Sequence, residues 1–445
     1  MSAPSASLAV VVGLAAVFLG CDSPGRQTAT TGTAVGSAST SSVPATPASA
    51  ASASGTTAST PRRRARPLAV NEPDATTSPD IARRNFESQQ VELARLLEAR
   101  PDDLSIVSAA VSAELDRVTF FGQMGGIGRA LELAERAVTA HPKDPKAYFL
   151  RSSARSLIHE FAAARADLDE AQRVGADASE LASKRAVLAM ALGDYDAAEP
   201  VFAADVKRFP NVSSLGLHAT CLGHMGRTDD AERAFLAAEQ AFRDVSPFML
   251  AWLYFHRAEM WDKAGKPELA RDLYTIAVER LPFFARGAIH LSELLPAAEG
   301  KPYLDAVASG ADDPEVSSAL YHTAEALTPG SGKAHLDKAA AGYDALMAKF
   351  PKAFADHAAE FHLGATKDPK KALAATTLNL ENRKTAESYV LHLEALEASG
   401  DAKGACAAAD EAGAFRYPTS ELRELRTKAY VACGKKPPAE PAPRR

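Results

Sequence analysis

Residues able to do chemistry are sparse in this chain of 445 residues, and their spacing rarely suits a reaction. Thr328-Pro329-Gly330-Ser331-Gly332-Lys333-Ala334 has the composition of a phosphate cradle. Such a cradle needs a glycine six residues before the lysine and a hydroxyl after it, because backbone N–H groups hold the phosphates and the hydroxyl holds magnesium. Leu327 and Ala334 stand at those places and no strand precedes, so the stretch reads as a loop between helices. Gly122 to Gly128 lacks the strand and the spacing of a dinucleotide site and reads as a turn. The 11 histidines include no H-E-x-x-H pair. His218 and His224 fall off one helical face, and His256 sits beside Trp252 and Phe255. There is no G-x-S-x-G elbow and no C-x-x-C pair. The expectation is therefore no catalytic residue, no metal site and no cofactor.

The elements that would position these residues read as helices. Alanine, the best intrinsic helix former, is abundant. Aromatic residues are 7%, and alternating β-branched runs are absent beyond the N-terminus. The net charge is −6, from 50 basic and 56 acidic residues spread along the chain, which argues against nucleic acid as a partner. The dense basic run Arg62-Arg63-Arg64-Ala65-Arg66 reads as solvated linker, or as a contact for anionic lipid if a membrane is near.

A repeat dominates the rest. In Leu192-Gly193-Asp194-Tyr195-Asp196-Ala197-Ala198, followed by Phe202 and Phe209-Pro210, Gly, aromatic, Ala, aromatic and Pro fall at fixed offsets. Stepping by about 34 residues places Phe161, Ala164, Leu168 and Ala171 in the same register, and before them Ala130, Ala134, Ala137 and Pro142. Forward copies run through Gly226, Ala231, Phe235 and Ala238, then Gly265, Ala270, Tyr274, Ala277 and Pro282. Weaker ones follow with Ala339, Tyr343 and Pro351, with Ala372 and Thr376, and with Gly400, Ala405 and Ala412. Each type has a role: small residues let helices approach, aromatics and leucine fill between pairs, glycine permits the turn, proline stops the second helix. Proline at Lys266-Pro267 and Asp368-Pro369 marks helix starts, and Asp196 is a candidate cap ahead of Pro200.

The pattern resembles the tetratricopeptide repeat. The resemblance covers roughly residues 80–434 and implies an all-α, helix-turn-helix solenoid over 77–434. Residues 283–335 fit worst, since Pro296, Pro302, Pro314 and Pro329 should cut helices short there, with an irregular pair or a break between two sub-solenoids. In that family the first helices of successive repeats line a concave groove for peptides or partner helices. By register Phe149, Trp252 and Phe255 point into it, while Trp252 is core if the register slips by one. The family's lysine and asparagine clamp for a terminal carboxylate is not visible. In the same register Cys406 lies in a second helix and Cys433 ends the following first helix, offset by about one turn, ~5 Å. They are either a disulfide or two buried small side chains. Cys221 reads as core.

At the N-terminus the apolar run Leu8–Leu19 is too short to span a bilayer core of ~30 Å and suits a signal peptide. Gly20-Cys21 after it resembles a bacterial lipoprotein signal, although Phe18 and Leu19 depart from that pattern and no basic residue precedes the run. The resemblance implies cleavage after residue 20, lipid on Cys21, and a periplasm-facing or surface location in either membrane; an ordinary cleaved signal and an uncleaved anchor are the alternatives. Residues 22–76 are Ser/Thr/Ala/Pro-rich and read as a disordered linker, reaching of order 40 Å. The tail 435–445 is disordered by composition. The functional expectation is a membrane-tethered scaffold that binds a protein or peptide and no small molecule. A self-associating structural protein, or an enzyme subunit with its site near 283–335, are the alternatives.

Overall fold

The computed structural model describes residues 76–438. Cys21, the basic run and all but the last residue of the 22–76 linker therefore lie outside the described residues, as does the tail beyond residue 438.

Among the described residues there are twenty α-helices. A leading helix, α1 (Pro79–Ala99), precedes nine antiparallel pairs. These are α2 (Leu104–Phe121) with α3 (Gly125–Ala140), α4 (Pro145–Leu157) with α5 (Phe161–Arg173), α6 (Ala178–Ala191) with α7 (Tyr195–Arg208), and α8 (Val212–His224) with α9 (Thr228–Ala241). Next come α10 (Phe248–Lys263) with α11 (Pro267–Arg280), α12 (Ala285–Glu293) with α13 (Ala297–Ala308), and α14 (Pro314–Leu327) with α15 (Lys333–Lys349). The series ends with α16 (Pro351–Gly364) and α17 (Pro369–Asn382), α18 (Ala386–Ala398) and α19 (Ala402–Ala412), and a closing α20 (Ser420–Ala432).

Local chemistry explains the punctuation. The side chains of Asp103, Asp144, Asp177, Asp194, Asp313, Thr385 and Thr419 each accept an N–H of the following first turn. Gly193, Gly226, Gly265 and Gly400 close first helices at φ of 70 to 82°, where a β-carbon is strained. The recurring alanines Ala130, Ala164, Ala198, Ala231, Ala270, Ala339 and Ala372 all have zero exposure, because each lies where two helices meet. The position four residues on carries Ala134, Leu168, Phe202, Phe235, Tyr274, Tyr343 or Thr376, all buried between pairs. One difference concerns the cap of α7: Asp194 caps it, accepting from the Ala197 N–H, so Pro200 lies inside the helix rather than in its first turn.

The segment 283–335 is shortened but not broken. α12 has 9 residues and α13 has 12, and Ala285, Ile289, Leu304, Val307, Val316 and Leu320 form one apolar cluster that continues the stack into α14. Pro314 occupies the first turn of α14 and Pro296 caps α13, so these prolines start helices rather than cut them.

The stack winds tightly enough for successive windings to touch. The Gly122 carbonyl accepts the N–H groups of Asp312 and Asp313, both at 3.0 Å. Lys352 pairs with Glu160 at 3.0 Å, and Asn382 donates to the His159 carbonyl at 3.1 Å. Asp196 meets Arg416 and Tyr417. The side-chain contacts along this seam join residues 187 to 223 apart in sequence. At ~34 residues per pair, one winding takes about six pairs.

Candidate functional site

The first helices of the pairs form the inner layer of the winding, and there the structure gathers its buried polar groups. On α10, Glu259 contacts His256 at 2.5 Å and Arg286 of α12 at 3.9 Å. His290 of α12 lies against the rings of Phe255 and Tyr274, with Glu293 3.7 Å from its Nδ1. Asp313 caps α14, and Glu315 follows in the first turn. α16 contributes Asp356, His357 and Glu360, and Arg383, just beyond α17, pairs with Asp356. Lys263 meets Glu387 of α18 at 3.2 Å.

Burial and charge pull on these groups in opposite directions. Burial, aided by the charge of Glu315, pushes Asp313 up to about 7. Burial pushes His290 down to about 4. Burial would raise Glu259, but His256, Lys263 and Arg286 more than offset it and hold its carboxyl well below the usual range. Asp356 is likewise held low against its burial by His357, Arg383 and His159.

Within this layer Glu315, His357 and Glu360 present ligand atoms that all lie within 4.8 Å of one another. His357 Nδ1 is 3.4 Å from Glu315 Oε2. No metal site is expected from the sequence, in which this trio forms no motif. Its visible trace is His357 and Glu360 one turn apart on one helix face; Glu315 joins them only through the packing of α14 on α16.

The residues singled out from sequence are placed as follows. Trp252, Phe255 and Phe149 are not groove contacts: their exposures are 2%, 1% and 5%. Trp252 packs on Gly216 of α8, where a β-carbon would lie 2.9 Å from the indole. Phe255 packs among Tyr274, Phe284 and His290. Phe149 joins Leu168 and Leu181. The reason is the packing of neighbouring pairs: α10 is enclosed by α8, α9 and α11, with Phe284 and His290 against Phe255, Phe149 is covered by α5 and α6, and Phe120 of α2 joins the α10 cluster from the preceding winding. Cys406 of α19 and Cys433 at the end of α20 are joined as a disulfide, with Cα atoms 6.1 Å apart. Cys221 has zero exposure, and burial raises its thiol to about 12. The phosphate-cradle look-alike is a nest filled from within: the Glu325 carboxylate accepts the N–H groups of Gly330 and Gly332 at 2.7 and 2.8 Å. Of the Gly122 to Gly128 stretch expected as a turn, Gly122 closes α2 at φ 61° and the turn ends at Met124, while Gly125 to Gly128 open α3.

The architecture is an all-α solenoid of helix-turn-helix pairs, the class that the tetratricopeptide resemblance implies. No family model and no curated protein matches the chain. Among solved structures it is similar to YrrB, a TPR protein with an unusual peptide-binding site, at 16% identity over 43% of this chain and 92% of that one, TM-score 0.25. It is also similar to the P58(IPK) TPR domain, at 12% identity over 80% and 97%, TM-score 0.22. A third is yeast Tom70, at 14% identity over 80% and 95%, TM-score 0.32. Likeness at this level carries no argument about what the chain binds.

Proposed function

We propose that the chain is a protein-interaction scaffold of a cell envelope, tethered by lipid on Cys21. The observation that carries the scaffold reading is the uninterrupted stack of nine helix pairs, which builds one continuous surface from many outward helix faces. The apolar side chains expected to line an inner groove are packed, so the partner surface belongs to the outer faces and the ends. α20 is such an end, with Val431 66% exposed beside Arg423, Thr427 and Lys428. The tether rests on the apolar run ending in Gly20-Cys21.

The test has two arms. Lipid labelling and membrane fractionation of the full chain are compared with Cys21→Ala; a labelled, membrane-bound wild type and a soluble, unlabelled variant support the tether. The full chain is also purified from its own membranes, and any stoichiometric companion is re-bound from pure components. A saturable complex weakened by Val431→Glu supports the scaffold and the α20 surface. A chain that light scattering shows to self-associate with no companion supports the structural reading instead.

One observation favours a second reading, an enzyme subunit with its site in 283–335. Arg286, His290, Asp313 and Glu315 from that segment converge in the polar interior. Turnover in a hydrolase substrate panel that Asp313→Asn abolishes would move the assignment there, and equal rates for both chains would remove it.

A further inference from the structure

We propose that Glu315, His357 and Glu360 bind a divalent metal ion of the zinc class, clasping α14 to α16 at the inner face of the winding. Three observations carry this. The three ligand atoms, two carboxylate oxygens and one imidazole nitrogen, converge within 4.8 Å. His357 is 6% exposed, and its Nδ1 has no hydrogen-bond partner while aimed into the group. The 3.4 Å between that nitrogen and Glu315 Oε2 is the third. Ligand atoms on a tetrahedral ion with bonds of ~2.0–2.2 Å stand roughly 3.3–3.6 Å apart, so one edge of the polyhedron is already in place. The other two ligand atoms, on the half-buried Glu360 and Glu315, lie within 4.8 Å of the rest.

The charge around the trio points the same way. Two carboxylates flank the His357 imidazole, with Asp313 capping α14 and Asp356 on α16. A cation held among Glu315, His357 and Glu360 would give the buried His357 nitrogen a partner. Mixed nitrogen and carboxylate ligands suit zinc, manganese or iron(II), whereas magnesium and calcium favour all-oxygen sites. Three protein ligands leave a coordination position for water. Because α14 and α16 open adjacent pairs, the ion would cross-link consecutive repeats.

The test uses the full chain, stripped with chelator and titrated with Zn²⁺ and with Co²⁺, whose visible absorption reports coordination number. One saturable equivalent per chain is expected, with an intense four-coordinate Co²⁺ spectrum. Glu315→Gln, His357→Gln and Glu360→Gln should each weaken binding at least ~10-fold, whereas His141→Gln, away from the trio on the end of α3, should not. Far-UV circular dichroism confirms that each chain is folded. His357 is deeply buried, so the two glutamate variants carry the test if His357→Gln does not fold. No saturable binding by folded wild type overturns the proposal. So does binding that both glutamate variants leave unchanged, or binding of Mg²⁺ as tight as that of Zn²⁺.

Discussion

His159 is 2% exposed, stands at φ 54°, and donates from Nδ1 to the Lys352 carbonyl of the next winding at 3.0 Å. Burial first, then the charge of Arg383, brings its pKa down to about 4 against the pull of Asp356. The sign follows. The unfolded imidazole takes a proton near pH 6.5 and the folded one does not, so this group's contribution is complete above pH 6.5. It is lost as pH falls toward 4, amounting to ~3 kcal/mol. His159→Asn tolerates the left-handed backbone. The stability gap between wild type and this variant, measured by urea melts, should narrow steadily from pH 7 to 4.5. A constant gap would show that His159 titrates normally. Also at this scale, the Cys406–Cys433 bond closes a loop with a sequence separation of 27. Reduction should cost about 3–4 kcal/mol by loop entropy, read as a lower thermal midpoint and faster proteolysis within α20. An unchanged midpoint would mean the bridge does not hold α20.

At the scale of elements, the turn glycines divide into two kinds. A β-carbon on Gly226, Gly265 or Gly400 meets nothing within 4 Å, so alanine there costs only the left-handed strain, ~1 kcal/mol. A β-carbon on Gly193 would lie 2.5 Å from the Lys384 carbonyl oxygen, because this turn also touches the next winding. Gly193→Ala should therefore cost roughly 2 kcal/mol more than Gly226→Ala, by chemical denaturation. Equal costs would show that the windings do not press together there. The same reading separates Gly122, whose β-carbon would lie 2.9 Å from the Ala285 β-carbon.

At the scale of the molecule, the seam changes how a repeat protein should unfold. An open solenoid couples each repeat only to its neighbours and can lose its two-state behaviour. Here α2 touches α12 and α6–α7 touch the loop before α20, so distant repeats share contacts. Trp252 and Trp261, both on α10, report on the middle of the chain, and far-UV circular dichroism reports on all of it. Coincident urea midpoints are expected for residues 76–438, and midpoints separated by more than about 0.5 M would mean that parts melt independently. A compact body of that length should have a radius of gyration near ~21 Å in solution scattering; a value above ~28 Å would indicate an opened winding.

The helix pairs and their turns were legible from residues alone, because a helix pair is a local object. Gly193, Ala198 and Phe202 act within one pair and against the next, and a step of ~34 residues repeats the same short-range demand. The Cys406–Cys433 pairing was narrowed for the same reason, since neighbouring helices fix its geometry. Proline is the weak local signal: the pattern predicts breaks at Pro296 and Pro314, where proline in fact begins a helix. The sequence by itself could not determine how far the stack curls. Small rotations between pairs accumulate over about six of them before Gly122 meets Asp312, and no residue type announces that sum. The packing of neighbouring pairs decided that Trp252, Phe255 and Phe149 are core rather than groove, and the packing of α14 on α16 brought Glu315 to His357 and Glu360. Burial and long-range charge depend on which distant helices close over a side chain, so the site, unlike the fold, had to wait for the tertiary structure.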